Sequence, residues 1–303
     1  MPGHDRKRAM FTLAHLSDSH LAPLPKPRFT ELLGKRVTGY INWQRKRRFI
    51  HDSAVLAKIV GDMKAQAPDH IAMTGDVANI ALPQEFLRGR DWLEGLGAPR
   101  DVSFVPGNHD VYVSAAATYA ARHWGAFMSD DEGISGFPYL RRRGPLALIG
   151  ISTGVPTIPF AATGWIGTVQ LTALAILLNE LKNENLFRVL MIHHPPVTQS
   201  PQHKRLLDAP VLKRIVAMHG ADLLIHGHDH VHTLNWLDGP NGTKLPAVGV
   251  PSASAVPGSD KDAAAYHLYR IDGTRGAWSC ELVSRALGAD GEVAEEKRYM
   301  LAE

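Results

Sequence analysis

Residues 102–110 read VSFVPGNHD, a short apolar run that ends in a turn with an amide, an imidazole and a carboxylate. The apolar part, Val102–Val105, has the length and composition of a buried β-strand, and the Pro-Gly pair after it lets the chain turn sharply. The side chains of Asn108, His109 and Asp110 therefore follow the carboxyl end of a predicted strand.

The same arrangement recurs after four other predicted strands. These strands are Phe11–Leu16, His70–Met73, Phe187–Ile192 and Asp222–Ile225, and the motifs that follow them are DSH at 18–20, GD at 75–76, HHP at 193–195 and GHDH at 227–230. Functional groups in open α/β folds gather at the carboxyl ends of strands. We therefore expect these carboxylate, amide and imidazole groups to share one edge of the structure.

Short apolar runs alternate with amphipathic stretches up to about Val231, which is typical of an α/β protein. A further strand is predicted at Leu146–Ile151, and the predicted helices are His51–Ala65, Gln84–Leu96, Ala115–Phe127, Val169–Lys182 and Ala209–His219. Beyond this point only strands and turns are predicted, at His232–Leu237, Leu245–Val250, Ala264–Ile271 and Ala277–Val283. This order favours two packed sheets with helices outside.

The composition excludes several classes of protein. The chain has 303 residues, 33 Lys+Arg against 30 Asp+Glu, 16 histidines and one cysteine. This length can bury the core of one large domain or two small ones. The single Cys280 excludes an internal disulfide framework and a cysteine-ligated zinc or iron–sulfur site, and we expect it in the core. A net charge of +3 gives little support for a nucleic acid partner.

The candidate ligands suit hard or borderline metal ions. In an extended segment residues i and i+2 point the same way, so Asp18 with His20, and His228 with His230, can each converge on one site. Nitrogen and oxygen ligands without a thiolate favour Zn, Mn or Fe. Seven candidate ligands suit two ions that share a carboxylate, and two metals ~3.5–4 Å apart form the clamp used for displacement at phosphorus.

The ordered motifs DSH, GD, GNHD, HHP and GHDH resemble those of the calcineurin-like metallophosphoesterases. The resemblance implies a four-layer α/β/β/α sandwich of two mixed sheets flanked by helices. It also implies two metal ions, which would be Mn, Fe, Zn or a mixture. The first would be held by Asp18, His20, Asp76 and His230, and the second by Asp76 as a bridge with Asn108, His193 and His228.

The resemblance further implies catalytic roles. A hydroxide that bridges the two metals would attack phosphorus. His109 would be the general acid that protonates the leaving oxygen, and Asp110 would orient its ring. His194 is a candidate for contact with the substrate phosphate, although a packing role is equally open.

The motifs also favour some substrates over others. Protein Ser/Thr phosphatases carry GDxxDRG, whereas residues 75–81 read GDVANIA, so a phosphoprotein phosphatase is disfavoured. GNHD and GHDH are more similar to the bacterial class III cyclic-nucleotide phosphodiesterases, which implies a small phosphodiester as substrate. The alternative is a pyrophosphatase or phosphodiesterase that acts on a lipid-linked or nucleotide-sugar head group. A non-catalytic scaffold is a third reading, against which the intact ligand set and His109 argue.

A basic segment follows the first motif. Lys26 to Arg48 holds eight Lys or Arg and one acid, Glu31, with apolar residues among them. Two interpretations stay open for this insertion or cap at about 21–50: a solvated cover beside the active site, or a surface for an anionic membrane or lipid. No specific nucleic acid partner is expected, and the oligomeric state is left open.

We expect residues 1–303 to form a single metallophosphoesterase domain whose strand-rich C-terminal part begins at about residue 231. The charged residues 4–8 precede an apolar run, Ala9–Leu16, that is short for a signal peptide, and no stretch approaches the ~20 apolar residues that span a bilayer. A cytoplasmic location is therefore expected, at the inner membrane face if the cap binds lipid. Gly150–Gly154 matches the G-x-S-x-G elbow of hydrolases, but prolines follow where that elbow requires a helix.

Overall fold

The computed structural model describes residues 10 to 302. The charged residues 4–8, on which the prediction about a leader depended, lie outside this range. Within it, no helix combines the length and the apolar composition needed to cross a bilayer.

The described residues form α-helices at the predicted places and at one more. They are α1 (Lys35–Arg45), α2 (Ser53–Ala65), α3 (Pro83–Leu96), α4 (Ala116–Trp124), α5 (Thr168–Leu181) and α6 (Ala209–His219). The additional helix, α1, lies in the basic segment. The start of α2 is set by Asp52, whose carboxylate accepts hydrogen bonds from the backbone N–H groups of Ala54 and Val55.

The strands form two six-stranded sheets. The strands are β1 (Phe11–Leu16), β2 (His70–Met73), β3 (Val102–Phe104), β4 (Tyr139–Arg143), β5 (Leu146–Gly150), β6 (Phe187–Met191), β7 (Leu223–His226), β8 (Thr233–Asp238), β9 (Lys244–Gly249), β10 (Ala265–Thr274), β11 (Ala277–Leu287) and β12 (Val293–Ala302). The first sheet has the order β12-β11-β10-β1-β2-β3 and the second the order β4-β5-β6-β7-β9-β8.

Both sheets are mixed. In the first, β1, β2 and β3 run parallel, while β10, β11 and β12 extend it by antiparallel pairing. In the second, β5, β6, β7 and β9 run parallel between the antiparallel edge strands β4 and β8. The predicted architecture of two mixed sheets with flanking helices is confirmed.

Alternate residues of the second sheet belong to different cores. Leu148 and Val189 join the cluster that contains the first sheet, whereas their neighbours Ile149 and Leu190 pack with α5 and α6. Successive side chains of a strand point to opposite faces, so this division places the second sheet between the first sheet and these two helices. Cys280 is fully buried on β11, as predicted.

Two strands, β4 and β12, were not predicted. Both are edge strands with one neighbour in the sheet. They read YLRRR and VAEEKRYMLA, so charged residues obscure the apolar alternation on which strand prediction depends. In β4 the buried Arg141 donates hydrogen bonds to four backbone carbonyl groups, those of Pro99, Val102, Ala126 and Ser129.

The topology determines where the functional groups meet. The parallel strands β1, β2 and β3 of one sheet and β6 and β7 of the other all carry a predicted motif at their carboxyl ends. After β5, by contrast, no helix begins before α5, which agrees with the exclusion of a hydrolase elbow at Gly150–Gly154. Strands β8 to β12 complete both sheets, and a single domain over residues 1–303 stays a prediction.

Candidate metal centre

The loops after β1, β2 and β7 bring four predicted ligands together. Asp18 Oδ1 lies 3.0 Å from His230 Nε2 and 3.8 Å from His20 Nε2. His20 Nε2 also lies 3.8 Å from Asp76 Oδ2. We call these four residues the first cluster: Asp18, His20, Asp76 and His230.

The loops after β3, β6 and β7 form a second cluster around the same aspartate. Asp76 Oδ2 lies 3.4 Å from His193 Nε2. Asn108 Oδ1 lies 3.2 Å from His193 Nε2 and 2.9 Å from His228 Nδ1. The second cluster is therefore Asp76, Asn108, His193 and His228, and Asp76 Oδ2 faces both groups.

Left-handed backbone conformations aim several of these side chains. The non-glycine residues with positive φ include Asp18 (53°), His20 (37°), Asp76 (58°), His228 (71°) and His230 (56°). The predicted reason for convergence, alternation along an extended segment, is therefore wrong. His228 faces the second cluster and His230 the first. Such conformations cost of the order of 1–3 kcal/mol each, and they persist where surrounding structure enforces them.

Two glycines make room for the bridging carboxylate. A Cβ atom on Gly107 would overlap the carboxylate of Asp76, whose Cγ would lie 2.7 Å away. Gly75 has a φ of +98°, and a Cβ there would lie 2.8 Å from His193 Nδ1. The glycines of the GD and GNHD motifs are thus required by close approach, which explains their place beside the ligands.

Three of the four cluster histidines are oriented by backbone carbonyl groups. Nδ1 of His20 lies 3.2 Å from the Ala78 carbonyl oxygen, and Nδ1 of His193 lies 2.6 Å from that of Thr74. His228 is reversed, with Nε2 2.9 Å from the Lys204 carbonyl oxygen. A nitrogen that faces a carbonyl oxygen donates its proton to it, so in each ring it is the other nitrogen that would ligate a metal.

The carboxyl groups of Asp18 and Asp76 are held in their ionised form. Burial opposes ionisation of Asp18, but His230 and His193 outweigh it and hold the pKa of Asp18 well below its usual range. Burial also opposes ionisation of Asp76, yet His193 and His109 lower the pKa of Asp76 to about 2. Both groups are therefore ionised at neutral pH, which is the form that ligates a metal.

The donor set fits metal ions. Asp18 Oδ1 is buried without a hydrogen-bond partner in the described part of the chain, because its contact with His230 is not aligned as a hydrogen bond. The His20 and His230 Nε2 atoms face each other at 3.4 Å. Unsatisfied oxygen and nitrogen donors in a buried site are stabilised by a cation. The groups that could hold one are Asp18, His20 and Asp76; His193, His194 and His228; and His20, His51 and His230.

His109 lies beside the clusters. Its backbone N–H donates to Asp76 Oδ1 (2.8 Å), and its Nδ1 lies 2.5 Å from the Asn79 carbonyl oxygen. Arg47 Nη1 lies 2.9 Å from the ring nitrogens. Burial and then Arg47 lower the pKa of His109 to about 3, so the ring is neutral at neutral pH.

The expectation that Asp110 orients the His109 ring is corrected by the structure. Asp110 Oδ2 accepts hydrogen bonds from the backbone N–H groups of Asp76 (2.7 Å) and Gly107 (2.9 Å), and Oδ1 accepts one from Ala78 (2.8 Å). Both oxygens are therefore occupied by backbone donors. Asp110 joins the loops that carry Asp76 and His109, and it acts on the site through their positions.

His194 is occupied by neighbouring protein groups. Its side chain is fully buried, with Nδ1 2.7 Å from Thr153 Oγ1 and Nε2 3.2 Å from the Ala162 carbonyl oxygen. Both ring nitrogens are therefore engaged. His194 also does not line the cavity over the clusters. The packing alternative fits this geometry better than contact with a substrate phosphate.

A cavity of about 780 Å³ opens over the clusters. One wall is formed by residues of the predicted site, which are Asp76, Asn108, His109, His228 and His230. The lining also includes residues of α1 and of the turn after it, such as Lys35, Ile41 and Arg47. The basic segment therefore lies beside the metal centre and lines its entrance.

Comparison with known proteins agrees with this geometry. Residues 11–232 match the family model described as calcineurin-like phosphoesterase. The chain belongs to this family. It is similar to a probable cyclic nucleotide phosphodiesterase of Synechococcus sp., with 29% identity over 179 residues, covering 57% of this chain and 62% of that protein. The match thus spans less than two thirds of that relative.

Solved structures share the fold of this calcineurin-like phosphoesterase. A dimetal phosphatase from Danio rerio superposes with a TM-score of 0.63 at 12% identity, covering 96% of this chain and 98% of that one. A purple acid phosphatase from yellow lupin seeds superposes with a TM-score of 0.53 at 11% identity, covering 96% and 53%. At such identities the likeness establishes the fold.

Two residues beside the ligand clusters were not predicted from the sequence. His51 is buried, with its ring centroid 4.4 Å from that of His20 and its Nδ1 2.9 Å from Ser254 Oγ. Arg47 contacts His109. Neither follows a strand, so the signal that found the other residues is absent. Arg47 reaches the centre from the cap, and His51, just after the cap, is held there by its bridge to Ala255.

Proposed function

We propose that this phosphoesterase is a dinuclear-metal phosphodiesterase that hydrolyses cyclic nucleotides or related small phosphodiesters. The observation that carries the proposal is the position of Asp76 Oδ2, 3.8 Å from His20 Nε2 and 3.4 Å from His193 Nε2. One carboxylate oxygen thus belongs to two ligand clusters. When bound, two metal ions supply charge stabilisation for the phosphoryl oxygens and activation of water.

The chain's own residues provide the remaining chemistry. Nδ1–H of His109 donates to the Asn79 carbonyl oxygen, so Nε2, which faces Arg47 Nη1 at 2.9 Å, is the nitrogen left for a proton transfer once the guanidinium pairs with a substrate anion. A bound phosphodiester anion would offset the charge of Arg47, one of the causes that keep the ring neutral. Substrate binding thereby favours the protonated ring, which can give its proton to the leaving oxygen.

The size and lining of the cavity suit a small diester. Its volume of about 780 Å³ lies within the range of ~300–1,000 Å³ typical of small-molecule sites. Phe160 lines it, is 84% exposed and offers an aromatic face to a nucleobase. The similarity to the probable cyclic nucleotide phosphodiesterase of Synechococcus sp. supports the same substrate class.

A panel of substrates with each metal tests this proposal. Protein loaded with Mn²⁺ or Zn²⁺ should hydrolyse bis(p-nitrophenyl) phosphate and a cyclic nucleotide, and chelation should abolish both activities. p-Nitrophenyl phosphate, a monoester, serves as the comparison. Metal-loaded protein that cleaves no diester would contradict the proposal and favour the scaffold alternative.

A second substrate class is favoured by a specific surface. Phe29, Leu33 and Ile41 are 96%, 71% and 44% exposed along the cap. Lys35 Nζ of the cap contacts Thr157 Oγ1 (2.5 Å) in a neighbouring loop. This loop contributes a further exposed apolar residue, Phe160. We call these the apolar ridge: Phe29, Leu33, Val37, Ile41, Ile158 and Phe160.

The apolar ridge lies among cations and beside the cavity. Two residues of the ridge, Ile41 and Phe160, also line the cavity. The basic residues near the ridge along the chain are Lys26, Arg28, Arg45, Lys46 and Arg48. Exposed apolar side chains surrounded by Lys and Arg suit an anionic bilayer, to which each cation adds about 1 kcal/mol. A phosphodiester or pyrophosphate on a lipid-linked head group is therefore the second candidate substrate.

Vesicle sedimentation tests the ridge. The protein should sediment with phosphatidylglycerol vesicles, less so at high salt, and only weakly with phosphatidylcholine vesicles, because the attraction combines burial with charge. The triple variant Phe29→Ser/Leu33→Ser/Ile41→Ser should lose this binding. A matched control, Val169→Ser/Ile176→Ser/Met218→Ser, removes exposed apolar residues of α5 and α6 and should keep it. Equal losses in both variants would count against the ridge.

A further inference from the structure

The cap places one arginine side chain, that of Arg47, beside the ligand clusters. Arg47 lies just after α1, in a short 3-10 turn over Arg47–Phe49. It is half-buried and lines the cavity together with Asp76, Asn108 and His230. Its guanidinium contacts the His109 ring at 2.9 Å.

The guanidinium of Arg47 differs from the other inward-facing arginines in its partners. Arg188 and Arg285 pair with Asp222 (3.0 Å) and Asp62 (2.7 Å). Arg141, without a carboxylate, donates to backbone carbonyl groups. Among residues 10 to 302, Arg47 has no carboxylate oxygen within 4.0 Å, and His109 is its one hydrogen-bond partner.

A partly buried guanidinium needs more partners than this. Arginine carries five N–H donors in a planar fork, and in Arg47 only Nη1 is engaged. Removing charge and donors from water without compensation is unfavourable, so an anion is the expected partner. Asp18 and Asp76 attract Arg47 electrostatically without contacting it. Their carboxylates contact the histidines of the clusters instead.

We propose that Arg47 binds the non-bridging oxygens of the scissile phosphoryl group, so that the cap supplies a catalytic residue. The fork of a guanidinium matches two phosphoryl oxygens, which a lysine cannot do. The cavity places such a group between Arg47, His109 and the ligand clusters. Arg47 then stabilises charge that develops on these oxygens as the ester bond breaks. This inference rests on the proposed phosphodiesterase function.

Three variants separate a phosphate contact from a structural role. Arg47→Gln should lower kcat/KM for bis(p-nitrophenyl) phosphate by about 10²-fold, the effect of removing one preorganised donor. It should also weaken binding of inorganic phosphate to the metal-loaded protein by about tenfold, measured by calorimetry. Arg47→Lys should recover part of both effects because it keeps the charge without the fork. Arg214→Gln, exposed on α6, should change neither.

Phosphate binding is measured without turnover, so the two proposals can fail separately. Arg47-dependent phosphate binding in a protein that cleaves no diester would overturn the proposed function and keep Arg47 as an oxyanion site. Wild-type protein that binds no phosphate, or Arg47→Gln that binds it as tightly as wild type, would overturn the inference. Loss of metal from Arg47→Gln, measured by mass spectrometry, would overturn it too, since the side chain would then support the ligands.

Discussion

Replacing Asp76 with asparagine should release metal from both clusters and reduce kcat by more than about 10²-fold. Loss of a residue that only hydrogen-bonds to a metal ligand costs at most about this much, and loss of a ligand itself should cost more. Asparagine keeps the shape of the side chain but loses its charge. Asp76 Oδ2 lies within 4 Å of an imidazole nitrogen of each cluster, His20 and His193, so a single change acts on both. The ratio of metal to protein by mass spectrometry, with kcat, measures the effect.

The control for Asp76→Asn is Asp91→Asn. Asp91 lies exposed on α3, where its pair with Arg90 contributes little to stability. It should keep full metal content and activity. Retention of one metal at wild-type affinity in Asp76→Asn would show that this carboxylate serves one cluster only.

Replacing His109 with alanine should lower kcat by about 10²–10⁴-fold while leaving the metal content nearly intact. The side chain belongs to neither cluster. Its backbone N–H, which donates to Asp76 Oδ1 at 2.8 Å, is retained in alanine, so the bridging carboxylate keeps its orientation. The loss should be largest for substrates with a poor leaving group, because these depend most on protonation of the leaving oxygen.

Comparison of two diesters measures this dependence. Hydrolysis of a cyclic nucleotide, which expels a ribose hydroxyl, should fall far more than hydrolysis of bis(p-nitrophenyl) phosphate, which expels a stable phenolate. Unchanged turnover of the cyclic nucleotide by His109→Ala would remove His109 from the role of general acid. A large loss of metal would instead give the ring a part in forming the clusters.

Much of this site could be predicted because its signals are local. A buried strand shows itself by a short apolar run, and Gly or Pro shows the turn that follows. Asp18, Asp76, Asn108 and His193 each come directly after such a run, so their common edge followed from strand direction. The unpredicted edge strands β4 and β12 lack that signal because charged residues interrupt their apolar alternation.

Other features depend on contacts that no local pattern contains. Composition identified the basic cap, but not that Arg47 lies over the ligands while Phe29 and Leu33 stay exposed. Nor does the motif GNHD show that Asp110 faces backbone N–H groups rather than the ring beside it.

The sequence by itself determined the strands that carry the ligands, the turns after them and the chemical types of the ligands, since each depends on residues near one another in the chain. Only the tertiary structure decided which ligands share a cluster. His228 donates its backbone N–H to Asp18 across 210 residues, and left-handed backbone at both positions sends His228 and His230 to different clusters. That division follows from how two sheets pack and from backbone angles enforced by their neighbours, and residue order carries no direct record of either.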